Sequence, residues 1–271
     1  MYFVFLQKAL SQNFVFLHQV NLKNKDMQIN ILKTESKLMG RNMLRIHEWE
    51  TAGEILLTEA DIISRYDPAY IYLEVDATDL YSMHQLEENG YSFSEFRIRT
   101  QLNTAYLDIS TRSFFPFKIE LIGEEEVYEK AVEILMTAHD DDRFSNDPLI
   151  GHQFSKDRLV ANLRKSFSSY PKEFLLGLVN SNTDALIAFR SGAFISNTEA
   201  IYYQYGIASG FDHDHTANML EAFSIEFLKN RGIGIINAVS TGYNIAVLNN
   251  LIKNNDFVIA SSSVLMRKVF T

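Results

Sequence analysis

From Tyr202 to Phe270 the spacing of apolar and polar positions changes period several times. The β-branched and aromatic run Tyr202–Ile207 predicts a strand, and the polar stretch Ala208–His215 a loop. Helically spaced apolar residues predict a helix over Thr216–Asn230. Ile233–Val239 reads as a second strand, Tyr243–Lys253 as a helix and Asp256–Val269 as extended chain. Upstream, Lys118–Ile122 alternates as a strand does. A helix begins around Glu124–Glu126, whose carboxylates suit a helix N-terminus, and buries Val127, Val132, Leu135 and Met136. Ser155–Phe167 repeats the helical pattern through Leu159, Val160 and Leu163. Strands Glu173–Val179 and Ala185–Ile195 follow, joined by a polar turn over residues 180–184. The predicted order from 118 to 270 is therefore β-α-α-β-β-β-α-β-α-β.

Two segments echo one another. Tyr70–Leu102 and Ile235–Val269 each run strand, polar joint, amphipathic helix and turn (Asn89-Gly90, Asn255-Asp256), then an aromatic residue (Tyr91, Phe257) and a strand. Either the chain holds two related halves, or each segment is an ordinary βαβ unit. The first alternative divides the chain into an incomplete half over 1–105 and a fuller one over 117–271.

Composition narrows the function classes. Of 271 residues, 46% are apolar, enough for a substantial core. Cysteine is absent, which removes disulfides, thiolate metal sites and a Cys nucleophile. A net charge of −9 with scattered basic residues disfavours nucleic acid. Met1–Leu6 is apolar but has no basic leader and is too short to span a membrane, so it reads as a core element. The expected address is the cytoplasm. Oligomeric state is open, a homodimer included.

Three stretches carry a family likeness: residues 139–151 (HDDDRFSNDPLIG), 217–232 (ANMLEAFSIEFLKNRG) and 242–269. With the element order, they resemble the GCN5-related N-acetyltransferases (GNAT), most closely the nucleotide-sugar enzymes of the dTDP-fucosamine type. The resemblance implies an α/β fold with a mixed sheet, preceded by an incomplete GNAT-like half. It also implies direct transfer of an acetyl group from acetyl-CoA to a small-molecule amine, without a metal. A catalytically degenerate module that keeps the fold for binding or assembly is the rival reading.

In that family a glycine-rich loop before a helix offers backbone N–H groups to the CoA pyrophosphate. Here the implied cofactor-binding positions are Asp214, His215, Thr216, Ala217 and Asn218, with Gly206 and Ile207 on the preceding strand. The usual glycines are missing, and Asp214 or Thr216 is predicted to cap the helix. The Asp-His-Asp-His run has the donor types of a metal site but no partner cluster, so a solvated loop is the reading. Asn244 is implied to contact the pantetheine arm, and its residue type equally suits a helix N-cap. Leu251 occupies the position where the family commonly places a general-acid Tyr. Leucine transfers no proton, so either another group or solvent substitutes, or the reaction is not an ordinary acetyl transfer; Tyr243 and Tyr205 are the catalytic candidates beside Asn244. Strict alternation sets Tyr203 and Tyr205 on the face opposite Tyr202. The resemblance assigns Asp142, Arg143 and Phe144 to the acceptor, with Arg143 pairing phosphate. The bland reading of that segment is a charged, solvated loop.

Overall fold

The computed structural model describes residues 27–107, 115–138 and 143–270. Met1–Leu6, His139 and Asp140–Asp142 lie outside them. The elements are β1 (Gln28–Ile31), α1 (Lys33–Met39), β2 (Asn42–His47), α2 (Ala52–Tyr66), β3 (Pro68–Asp76), α3 (Leu80–Glu88) and β4 (Ser92–Asn103). There follow β5 (Phe117–Leu121), α4 (Glu125–Ala138), α5 (His152–Ser168), β6 (Glu173–Asn180), β7 (Ala185–Phe194) and β8 (Glu199–Ile207). The chain ends through α6 (His213–Lys229), β9 (Ile235–Thr241), α7 (Ile245–Asn249), a π turn (Asn250–Asn254) and β10 (Val258–Val269). The order from β5 onward is the one the sequence predicts.

All ten strands form one mixed sheet in the order β1-β2-β3-β10-β4-β9-β8-β7-β6-β5. Two pairs are parallel, β2 with β3 and β8 with β9; the rest are antiparallel. The echo between the segments acquires a spatial meaning here. Apart from α1, which the second stretch lacks, the path β1-β2-α2-β3-α3-β4 matches β7-β8-α6-β9-α7-β10, and the two last strands are exchanged. β10 lies between β3 and β4, and β4 lies between β10 and β9.

Helices cover both faces, as the buried runs of the central strands require. One face of β2, β3 and β10 carries Leu44, Ile46, Ile71, Leu73, Val264 and Met266, which bury Ile55 and Ile62 of α2 and Leu86 of α3. On that same side α6 packs against Tyr202, Ala238 and Phe257 through Ile225 and Leu228. The opposite face receives α4 and α5, with Tyr128, Ala131 and Leu163 against Leu175 and Phe189.

Helix ends follow local chemistry. Thr51 caps α2 by accepting from the Glu54 N–H, and Asp79 caps α3 by accepting from the Ser82 N–H. The last turn of the predicted 243–253 helix widens into a π turn, which carries Leu251 into the core.

Leu265 tests the exchange. It belongs to the last strand but is fully buried beside Tyr70, Tyr72 and Phe144. Leu265→Ala is expected to cost about 2–5 kcal/mol, measured by urea denaturation. Amide exchange in β3 should accelerate with that in β10.

Candidate functional site: a parted strand pair between two unequal clefts

β8 and β9 pair only from Glu199↔Ile235 to Tyr202↔Ala238, although β8 runs on to Ile207 and β9 to Thr241. The paired end is held by Asn237, whose Nδ2 donates to Glu199 Oε1 at 2.7 Å. Beyond it the strands part. The parallel pair in the first half behaves differently: after a register shift between Asn42 and Met43 it stays paired to Ile46↔Leu73, one residue from the end of β2. Only the second half has the open wedge among the described strands.

A bulge in β8 accompanies the parting. Its register with β7 shifts between Gly192↔Tyr202 and Arg190↔Tyr205, so β8 carries one extra residue there. Ser191 supports the irregular backbone: its Oγ accepts from the Gln204 N–H at 3.1 Å. Gly192 is required at this crossing, because a Cβ there would collide with the Ile201 carbonyl and the Phe174 ring. The Ala208 N–H donates to the Ile187 carbonyl of β7 at 2.8 Å. Strand amides alternate in direction, so the Ile207 N–H faces away from β7 and into the wedge.

The bulge corrects the expected facing of the tyrosines. Tyr202 and Tyr205 lie on the same side, both over the Arg190 guanidinium, at 4.4 and 5.0 Å from their ring centres. Simple alternation fails because the extra residue resets the period.

On the α5 side the wedge opens into a cavity of about 490 Å³. β8 contributes Tyr203 and Gln204, and β9 contributes Val239, Ser240 and Thr241. Its far wall comes from the first half and is charged. Arg97 pairs with Glu95 at 2.8 Å and Glu74 at 3.8 Å, and Arg45 pairs with Glu74 at 3.5 Å. Lys165 pairs with Glu173 at 2.5 Å.

On the α6 side the wedge is nearly filled. Arg190 and Glu221, 7% and 0% exposed, form an ion pair at 2.5 Å. Burial pushes the Glu221 carboxyl above the usual carboxylate range, and Arg190 offsets part of that. Burial, reinforced by the Glu221 charge, drives the Tyr202 phenol well above its ordinary value, so it stays protonated. The remaining space among Arg190, Tyr205, Ala217, Val247 and Asn250 is about 10 Å³, room for one water at most. Asn250 Nδ2 donates to Asn218 Oδ1 at 2.7 Å and ties the π turn to α6.

No protein-family model matches the sequence, and no curated protein matches it. Solved structures do. A functionally unknown conserved protein from Staphylococcus epidermidis aligns with a TM-score of 0.61 at 10% identity, covering 93% of this chain and 99% of its own. A tandem GNAT protein from the clavulanic acid biosynthesis pathway aligns at 0.56 and 12%, covering 84% and 75%. A GCN5-related N-acetyltransferase from Kribbella flavida aligns at 0.57 and 10%, covering 85% and 82%. The fold is GNAT-like.

Within this GNAT-like frame the predicted residues separate. Gly206 and Ile207 stand at the wedge, and the space a Cβ of Gly206 would need is taken by Phe189 and Ile134. The helix after them starts at His213, earlier than predicted. Asp212 is its cap, accepting from the His215 N–H at 2.8 Å, which corrects the choice between Asp214 and Thr216. An acid one residue before the first turn reaches the third amide, a geometry Asp214 and Thr216 lack inside the helix. Asp214 and His215 face solvent, Thr216 and Ala217 are buried, and Asn218 makes the bond to Asn250. The Asp-His-Asp-His run is thus a helix start rather than a loop. Among the described residues no group of three or more His, Asp or Glu gathers to hold a metal.

Asn244 caps α7, accepting from the Val247 N–H at 3.2 Å, and the exposed Tyr243 precedes it. Arg143 and Phe144 are buried. The guanidinium lies 4.4 Å from the ring centres of both Tyr72 and Phe144, and Phe144 sits in a core cluster with Tyr70 and Leu265. Asp142 lies outside the described residues. Sequence reasoning missed Arg190, Glu221 and the charged wall from β4, because no local pattern marks a pairing between distant strands.

The ion pair yields a stability prediction. Glu221→Leu strands a buried guanidinium and is expected to cost about 3–5 kcal/mol. The double variant with Arg190→Met should recover most of that loss in urea denaturation.

Proposed function

We propose that the protein transfers an acyl group from acetyl-CoA to a primary amine seated in the large cleft. The observation that carries this reading is the parting of β8 and β9 beyond Tyr202↔Ala238, directly beside that cleft. The donor supplies an activated acyl carbonyl. The Ile207 N–H points into the wedge and is placed to polarise that carbonyl's oxygen. The amine must lose a proton to attack, and the departing sulfur must gain one. Glu173 lines the same cleft as Tyr203 and is the carboxylate assigned to relay the first proton. Tyr205, held over Arg190, is the candidate to return the second. The GNAT resemblance extends the acceptor to an amino sugar on a nucleotide. It also extends the division of the chain to an incomplete half over 1–105 and an acyltransferase half over 117–271.

The donor side fits a pantetheine arm only after movement. The bond between Asn218 and Asn250 closes the strip between α6 and the π turn, and Asp212 occupies an amide that a pyrophosphate would take. These contacts favour a second reading, a binding or assembly module that retains the fold without turnover. Leu251, buried where the family places a general acid, favours it too.

Isothermal titration with acetyl-CoA and desulfo-CoA separates the readings. Binding in the micromolar range is expected, and Asn250→Ala should tighten it by opening the strip. Absence of binding at millimolar concentration would sink the acyl-transfer reading. If transfer occurs, Tyr205→Phe should lower kcat by roughly 10²-fold with little change in KM, followed by thiol release.

A further inference from the structure

The wall of the large cleft holds more positive than negative side chains, in a protein whose net charge is −9. Arg45, Arg97 and Lys165 are engaged with Glu74, Glu95 and Glu173. Arg99 is different. It lies on β4 directly opposite Val239 of β9, on the cleft side, and it is exposed. Among the described residues no carboxylate stands within ion-pair distance of it, whereas Arg97, two positions away on the same face, has two. Ser240 and Thr241 line the same lip of the cleft.

We propose that Arg99 binds an oxyanion, carboxylate or phosphate, carried by the acyl acceptor. A guanidinium presents two parallel N–H donors that match either group. The geometry also sets a length. The wedge lies between β8 and β9, and Arg99 is on the next strand, so the anion sits one to two strand spacings, roughly 5–10 Å, from the amine. The amine's position rests on the acyl-transfer reading; the anion site stands on the cleft alone. Because Arg99 belongs to the first half, that half selects the acceptor through the strand it lends to the sheet.

Three matched amines test this on the full chain with acetyl-CoA absent: 4-aminobutyrate, 3-aminopropylphosphonate and butylamine. At least one of the anionic pair is expected to bind about tenfold or more tightly than butylamine, the margin of one charge-assisted contact. Which of the two binds better identifies the carboxylate or the phosphate as the natural group. Arg99→Gln should abolish the margin and Arg99→Lys retain part of it, in variants whose thermal melts match the parent. Equal binding of butylamine, no binding of any of the three at millimolar concentration, or an unchanged margin in folded Arg99→Gln would overturn the proposal. Acetyl-CoA titrated separately reads the donor side, so loss of the acyl-transfer reading is told apart from loss of the anion site.

Discussion

An interior strand must satisfy its backbone amides and carbonyls along both edges, and this molecule meets that demand by exchanging two strands. β3 needs a partner beyond β2, and β9 needs one beyond β8. β10 supplies the first and β4 the second, each from the opposite half of the chain. The central β4–β10 pair closes the arrangement. Neither half has a complete sheet without the other. The contacts joined in this way are distant in sequence, so the core of the first half depends on β10, about 190 residues further along the chain. The consequence for function is direct: β4 places side chains of the first half one strand away from the wedge of the second.

The wedge is the one place where this pairing rule is relaxed. Parting two parallel strands leaves backbone groups without ladder partners, a cost the structure contains locally. The Ser191 hydroxyl bonds the bulged backbone at Gln204, and Gly192 lets β7 approach where a side chain would clash. At the other end, the Asn237–Glu199 contact holds the paired stretch together. The related pair β2–β3 has no comparable opening. Two similar supersecondary paths therefore differ in a property that decides whether a ligand can enter the sheet.

The two sides of the wedge are electrostatically unlike. Towards α6, an arginine and a glutamate are desolvated together and the arginine stacks on two tyrosines, which fills the space. Buried pairs of this kind add little net stability but are costly to break. Towards α5, the charges are partly solvated and surround an open volume. A polar, roomy cleft suits a small charged acceptor. A tight strip suits a donor only if the Asn218–Asn250 bond yields.

Much of the fold was legible in the sequence because it rests on short-range periodicity. The β-α-α-β-β-β-α-β-α-β order, the echo of Tyr70–Leu102 in Ile235–Val269 and the capping role open to Asn244 are all written in spacing and residue type. Local chemistry was less decisive where several residues of similar kind compete: Asp212, not Asp214 or Thr216, caps α6. The side of the sheet that Tyr205 faces could not be read, because a bulge depends on the neighbouring strand. Burial of Arg143 between Tyr72 and Phe144 was equally hidden, since stacking partners come from distant elements. Over 70–102 and 118–270, sequence by itself determined which elements form and in what order, through the periods of helix and strand. Tertiary structure alone decided the strand exchange, the opening of the wedge and the charge of each cleft, because these arise where residues far apart in the chain meet.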